Sequence, residues 1–256
     1  METDKQIEEK LEERFTIMEI LTHSAIKGEN RSLIISGPPG LGKSYTVEQA
    51  MQLYDPNGIR HSIIKGYVKP TGLLRSLYKH RHEGQVIVFD DADTIFFDDT
   101  SLNMLKTVCD TTEKRIVSYM AETNMVDEAS AQKIPRQFEF RGSIVFITNY
   151  DFDAMIQRGH KLAPHFSALI SRSHYVDLAM KTDRDYLVRI KQVVRQGLLK
   201  DLDDVQKDDV LKFIFQNSHH MRELSLRMVL KVASIRKMNM PGWDALAKVT
   251  CCKNKS

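Results

Sequence analysis

The sequence predicts an α/β fold followed by an all-helical region, on three features. A glycine-rich segment, Gly37-Pro38-Pro39-Gly40-Leu41-Gly42-Lys43-Ser44, lies between an apolar run, Leu33-Ile34-Ile35, and a helical stretch that opens at Tyr45. Two more apolar runs, Val86 to Phe89 and Ser143 to Thr148, read as buried parallel strands, and they close on Asp90-Asp91 and on Asn149. Past Lys181 only helical periodicity remains.

In chain order, Ile7, Leu11, Phe15, Ile17, Met18 and Leu21 recur at helical spacing amid charge, which predicts an amphipathic helix from Lys5 to about Lys27. It reads as core packing; its place before the first strand would also let it flank a nucleotide base, but no residue in it is specific for one. Asp55-Pro56-Asn57-Gly58 is a turn, followed by a strand over His61 to Lys65. Gly66-Tyr67-Val68-Lys69-Pro70 then precedes a helix from Thr71 to about Arg81. Two readings of that segment stay open: an exposed, sticky loop, or a tyrosine packed on its own helix. Asn103 to about Asp110 reads as a helix, and Asp93, Asp98 and Asp99 as caps and solvated loop. Arg115 to Tyr119 and Gln137 to Phe140 predict a hairpin with a long polar tip, in which Lys133 and Arg136 read as solvated. Asp151 to Ser171 is helical and turn-like, broken at Gly159 and Pro164, and the last strand runs from Ser173 to Leu178. Arg172 before it is either a surface arginine or a group projecting into a neighbour.

The helical region starts at a Thr182-Asp183 cap and runs to about Arg195, with further helices from Val205 to Gln216 and from Met221 to Met238, and a short one after Pro241. Their apolar faces suit a small bundle. The expected organisation is therefore 1–180 for the α/β part, 181–250 for the bundle and 251–256 for a tail, frayed after Cys252.

Composition narrows the function classes. The 256 residues are 42% hydrophobic, ample for a core, and 37 Lys and Arg against 34 Asp and Glu leave +3, too little for an overwhelming nucleic-acid field. Cys109 and the pair Cys251 and Cys252 lack metal-ligand spacing, also when His219 and His220 are considered, and suit a reducing cytoplasm. No apolar run approaches 18 residues, so neither a signal peptide nor a membrane span is expected.

The glycine-rich segment has the Walker A pattern in its required setting of strand, loop and helix. Glycines let successive N–H groups converge on phosphate oxygens, and the helix start adds partial positive charge. The residues from Gly37 to Tyr45 are thus the candidate nucleotide cradle, with Lys43 reaching the β- and γ-phosphates. The bland alternative, a glycine-rich turn, leaves the Lys-Ser pair at the helix start unexplained. Asp90-Asp91 closing a buried strand is the Walker B pattern: with Ser44, Asp90 offers hard oxygen ligands for magnesium, and Asp91 would polarise the attacking water. Asn149 would orient the same water from a neighbouring strand end.

As a set, these motifs and their order resemble the AAA+ ATPases over about Ser24 to Met240, and within them small single-module, phage-type members. The resemblance implies a P-loop NTPase module with a five-stranded parallel sheet in order 5-1-4-3-2, a C-terminal helical lid bundle, and a nucleotide at the boundary of the two. It implies an ATP hydrolase that works with ATP and magnesium as a homo-oligomeric ring, usually of six, on a protein or nucleic-acid substrate. By that likeness Asn149 is sensor 1, Arg222 is sensor 2 at the start of a lid helix, and Arg172 is an arginine finger acting on the next subunit, with Arg158 the second choice. Tyr67, Val68 and Lys69 fall where unfoldase-type members grip their substrate. One departure is Asp91 where the family usually has Glu, a methylene shorter. That favours the alternative function, an ATP-controlled loader or switch in DNA replication with slow hydrolysis. A metabolic P-loop kinase is disfavoured because nothing resembles an acceptor-substrate lid.

Overall fold

The computed structural model describes residues 2–121, 124–127, 131–178 and 180–253. The chain divides into two compact units, one of Arg14–Gly37 and Lys43–Ala179, the other of Met1–Glu13, Pro38–Gly42 and Met180–Ser256. The sequence places a boundary near Met180. It does not reveal that the first residues and the crest of the glycine loop group with the helical unit.

The α/β unit is built on five parallel strands: β1 (Ser32–Ser36), β2 (His61–Lys65), β3 (Val86–Asp90), β6 (Ser143–Thr148) and β7 (His174–Asp177). Their spatial order is β2-β3-β6-β1-β7. The expected order carries smaller numbers because β4 (Ile116–Ser118) and β5 (Gln137–Glu139) form a separate antiparallel pair; numbering the five alone gives 5-1-4-3-2 from the opposite edge. Every residue of β1, β3 and β6 is buried, so these strands show no alternation. Phe89, Phe96, Phe146, Phe152 and Phe166 fill the core beside them, each contributing about 1.5–3 kcal/mol on burial.

Helices connect the strands. The helices α1 (Asp4–Ile26) and α2 (Lys43–Tyr54) flank β1; α3 (Pro70–Lys79) buries Leu73, Leu74 and Leu77; α4 (Asp99–Val108) starts at Asp98, whose carboxylate accepts from the Ser101 N–H at 2.7 Å. Asp98 is thus the cap expected of it. The helices α5 (Phe152–Gln157) and α6 (Ala163–Ile170) separate β6 from β7. The hairpin pairs Val117 with Phe138, whose ring meets Tyr78 edge-on at 5.1 Å, and its tip carries a further bridge between Val126 and Lys133. Residues 122–123 and 128–130 of the predicted polar tip lie outside the described residues.

In the helical unit, α7 (Asp183–Arg195) and α8 (Asp204–Asn217) each begin with a capping box, Thr182 with Asp185 and Asp203 with Gln206. The third helix differs from expectation. It is α9 (Leu226–Lys237), N-capped by Ser225, because Met221 pairs with Cys252 in an isolated bridge that draws residues 221–224 out of helical geometry. The same bridge orders the first residues of the expected tail: α10 (Trp243–Cys251) ends with Cys251 and Cys252 both buried, and the Lys253 N–H donates to the His220 carbonyl at 2.8 Å. Residues 254–256 lie outside the described part. Ile190, Val194, Phe213, Ile214, Val229 and Val232 form the core, while Leu230, on the same helix as Val229, is 47% exposed. Ion pairs Arg184–Asp4 and Arg195–Glu8 tie the start of α1 to α7. Among the described residues no helix is long and apolar enough to cross a membrane.

Candidate active site

The glycine loop leaves the buried end of β1 and returns at the first residue of α2. Gly37, Gly40 and Gly42 all have positive φ. Gly40 is required twice over, since at φ +74° a Cβ would lie 2.6 Å from the Ser225 Cβ. The loop crest is also held by the Leu226 N–H, which donates to the Gly40 carbonyl at 2.8 Å.

Five functional side chains meet at the carboxyl ends of β3 and β6, as a parallel sheet allows. Lys43 is 5% exposed, and its ammonium donates to the Gly37 carbonyl at 2.5 Å and to Asn149 Oδ1 at 3.0 Å. An ammonium only donates, so the Asn149 amide has one orientation, and its Nδ2 donates to Asp91 Oδ1 at 2.8 Å. Asn149 therefore joins the phosphate-loop lysine to the Walker B aspartate. Asp91 stands at φ +52°, at a cost on the order of 1–2 kcal/mol, with its N–H on the Ile147 carbonyl at 3.0 Å. That conformation turns its carboxylate toward Asn149 instead of continuing the strand.

Ser44 donates its hydroxyl to Asp90 Oδ1 at 2.8 Å, and Asp90 is 3% exposed. Two hard oxygen donors this close suit magnesium, completed by phosphate oxygens and water. Among the described residues no group of three or more His, Cys, Asp or Glu could hold a metal alone, consistent with an ion that arrives with a nucleotide. The sequence reading missed two acids' surroundings here. Asp93 is not solvated loop: burial raises its carboxyl against a lowering bond with Thr148, and the nearby Asp91 raises it further. Its Oδ1 is buried without a hydrogen-bond partner. Asp90 Oδ2 lies 3.3 Å from the Lys65 ammonium, a contact that strand register alone brings about.

Other predicted residues sit elsewhere. Tyr45 is 67% exposed on the first turn of α2. Tyr67 is 73% exposed, as the sticky-loop reading expects, but Val68 is buried in the core, with its N–H and carbonyl both on Thr94 Oγ1 at 3.1 and 3.3 Å. The expectation that Val68 grips a substrate is corrected: it anchors the loop, and Tyr67 and Lys69 are presented. Arg222 is exposed and stands three residues before the Ser225 cap, not within the helix start. Arg172 lies before the amino end of β7, where it donates to the Ala168 carbonyl at 2.8 Å and meets Asp110 at 3.3 Å. Arg158 is exposed at the end of α5. In the helical unit, Pro38 and Pro39 line a cleft of about 250 Å³ with Asp183, Tyr186, Glu223, Leu224 and Ser225. A larger cleft, about 500 Å³, lies between α4 and β4 and includes none of the chemistry-bearing residues above.

Comparison with known proteins agrees with this geometry. The profile of the AAA family, the ATPase family associated with various cellular activities, matches residues 33–159, which carry Lys43, Ser44, Asp90, Asp91 and Asn149. An uncharacterised 36.7 kDa protein of the nrdC-mobD intergenic region of Enterobacteria phage T4 is 36% identical over 250 residues, 96% of this chain and 76% of that one. The chain belongs to the AAA family of ATPases. Within AAA structures, it is similar to a mutant RuvB of Thermotoga maritima, at TM-score 0.52 and 14% identity over 94% of this chain and 68% of that one. It is also similar to Aeropyrum pernix ORC1, solved in complex with DNA, at TM-score 0.50 and 12% identity over 93% of this chain and 64% of that one. At such identities the likeness is one of fold alone, a P-loop α/β fold with C-terminal helices, and the phage-type relationship rests on the T4 protein.

Proposed function

We propose that the protein is a magnesium-dependent ATP hydrolase that assembles as a homo-oligomeric ring, six-membered by family likeness, and converts ATP binding and hydrolysis into remodelling or translocation of a macromolecule. The observation that carries this reading is the chain of contacts Lys43–Asn149–Asp91 beside Ser44–Asp90. Lys43 exchanges the Gly37 carbonyl and Asn149 Oδ1 for phosphate oxygens, and the loop N–H groups hold the remaining charge. Ser44 and Asp90 would hold magnesium, which would supply further neutralisation of phosphate charge. Asp91 orients the attacking water, and Asn149 fixes the position of that carboxylate. Arg222 contacts the γ-phosphate in the same chain, and Arg172 of a neighbouring copy completes the charge stabilisation, so turnover requires assembly. A phage-type protein of this kind would act in the host cytoplasm.

The test is steady-state ATP hydrolysis against protein concentration, with and without single-stranded DNA and an unfolded protein. Cooperative turnover raised by one polymer identifies the substrate class; turnover per chain that is independent of concentration overturns the assembly requirement. The second reading, a nucleotide-controlled nucleic-acid loader, gains from Asp91, whose shorter side chain is already committed to Asn149. On that reading ATP binds tightly and turns over slowly, and Asp91→Glu raises turnover severalfold. Under the motor reading Tyr67→Ala abolishes substrate-driven work and spares basal hydrolysis.

A further inference from the structure

The sheet places a second cation at the metal carboxylate. Lys65 is the last residue of β2 and stands in register with Asp90, the last residue of β3. Its ammonium lies 3.3 Å from Asp90 Oδ2 and 2.5 Å from Glu48 Oε1 on α2. Because Ser44 occupies Oδ1, both oxygens of Asp90 are engaged. The ammonium is held between two acids, one on the neighbouring strand and one on α2.

Lys65 is also the first fixed point of the exposed loop. Gly66, at φ +84°, and Tyr67 follow it directly. The other fixed point is Val68, held through both backbone polar groups by Thr94, in the short 3-10 turn four residues beyond Asp90. The Tyr67 crest is thus strung between two anchors that both refer to the end of β3.

We propose that Lys65 is an exchangeable counter-ion of Asp90: it neutralises the carboxylate before magnesium arrives, yields it to the incoming ion, retreats to Glu48, and so transmits metal occupancy to the Tyr67 loop. This rests on the reading of Asp90 as the metal carboxylate. A dication at Asp90 repels an ammonium only a few ångströms away, and Glu48 gives that ammonium a seat it already shares. Lys65 is a positioning residue here, acting through Asp90 and the loop.

The experiment follows two readouts other than turnover, both with a non-hydrolysable ATP analogue. The first is the magnesium concentration that half-saturates thermal stabilisation; the second is the rate of limited chymotryptic cleavage after Tyr67, read by mass of the released fragment. Lys65→Met removes a competing charge that is partly screened by solvent, and should lower half-saturating magnesium about three- to tenfold. It should also make cleavage after Tyr67 indifferent to magnesium, whereas the wild-type rate changes on metal binding. Lys65→Arg, which keeps the charge, should retain the wild-type magnesium requirement. A Lys65→Met protein with an unaltered magnesium requirement and unaltered cleavage response overturns the inference. Asp90→Asn separates the two levels: if it abolishes the magnesium dependence while Lys65→Met changes nothing, only the role of Lys65 fails. If Asp90→Asn leaves that dependence intact, the metal site and the inference fall together.

Discussion

The two ends of the parallel sheet treat their charged groups differently. At the carboxyl ends of β3 and β6, Lys43 is bonded to Asn149, Asn149 to Asp91, and Ser44 to Asp90. At the amino end of β7, Arg172 is bonded to a helix carbonyl and to Asp110, whose carboxyl is lowered first by the Thr112 N–H and, against burial, by Arg172 itself. A five-residue strand separates such ends by about 16 Å. No rotamer of Arg172 spans that distance to its own site. If Arg172 serves catalysis it must do so through another copy, whereas the carboxyl-end groups are placed to act within one chain.

The strongest way to break this comparison is Arg172→Ala. As a finger in trans, its loss should lower turnover by on the order of 10³ with nucleotide affinity unchanged. If Arg172 merely braces α6 against Asp110, Arg172→Ala and Asp110→Ala should cost similar stability and neither should selectively lose turnover. Asn149→Ala sharpens the carboxyl-end side. It releases Lys43 and Asp91 at once, and should reduce turnover on the order of 10² while binding of ATP, followed by equilibrium fluorescence, persists. The smallest effect lies away from both groups of residues, at the turn into β2. Burial raises the Asp55 carboxyl, but the N–H groups of Arg60 and His61 and the His61 ring outweigh it and bring it down to about 2. A folded pKa below the unfolded one gives stability that is present above about pH 4 and lost as pH falls toward 2. Urea midpoints of wild type and Asp55→Asn should therefore converge across that window and remain apart at pH 6.

The strands, the loop and the lid helices were legible because they depend on local pattern: unbroken apolar runs, glycines at a strand end, and capping residues such as Thr182. What escaped depends on register and long-range pairing. Nothing around Arg222 signals that Met221 pairs with Cys252, yet that bridge delays α9 by several residues and holds Cys252 in place. Val68 looks like half of an exposed aromatic pair until Thr94 is seen to hold its backbone. Lys65 ends an ordinary strand in sequence, and only the β2–β3 register reveals the acid opposite it. Asp93, spaced like a cap, is turned inward toward Thr148.

The buried cysteines give each unit its own clock. Cys109 lies in the α/β core, where burial pushes its thiol up to about 11, and Cys251 and Cys252 lie in the helical unit, the latter also raised by burial. A thiol held in that state is almost inert to alkylating reagents until its surroundings open, so labelling rate becomes a local opening rate. Mass spectrometry of peptides carrying Cys109 or the pair would then time the breathing of the nucleotide-binding core and of the lid separately in the unmodified protein. A bound nucleotide that steadies one unit more than the other would appear as two clocks running at different speeds.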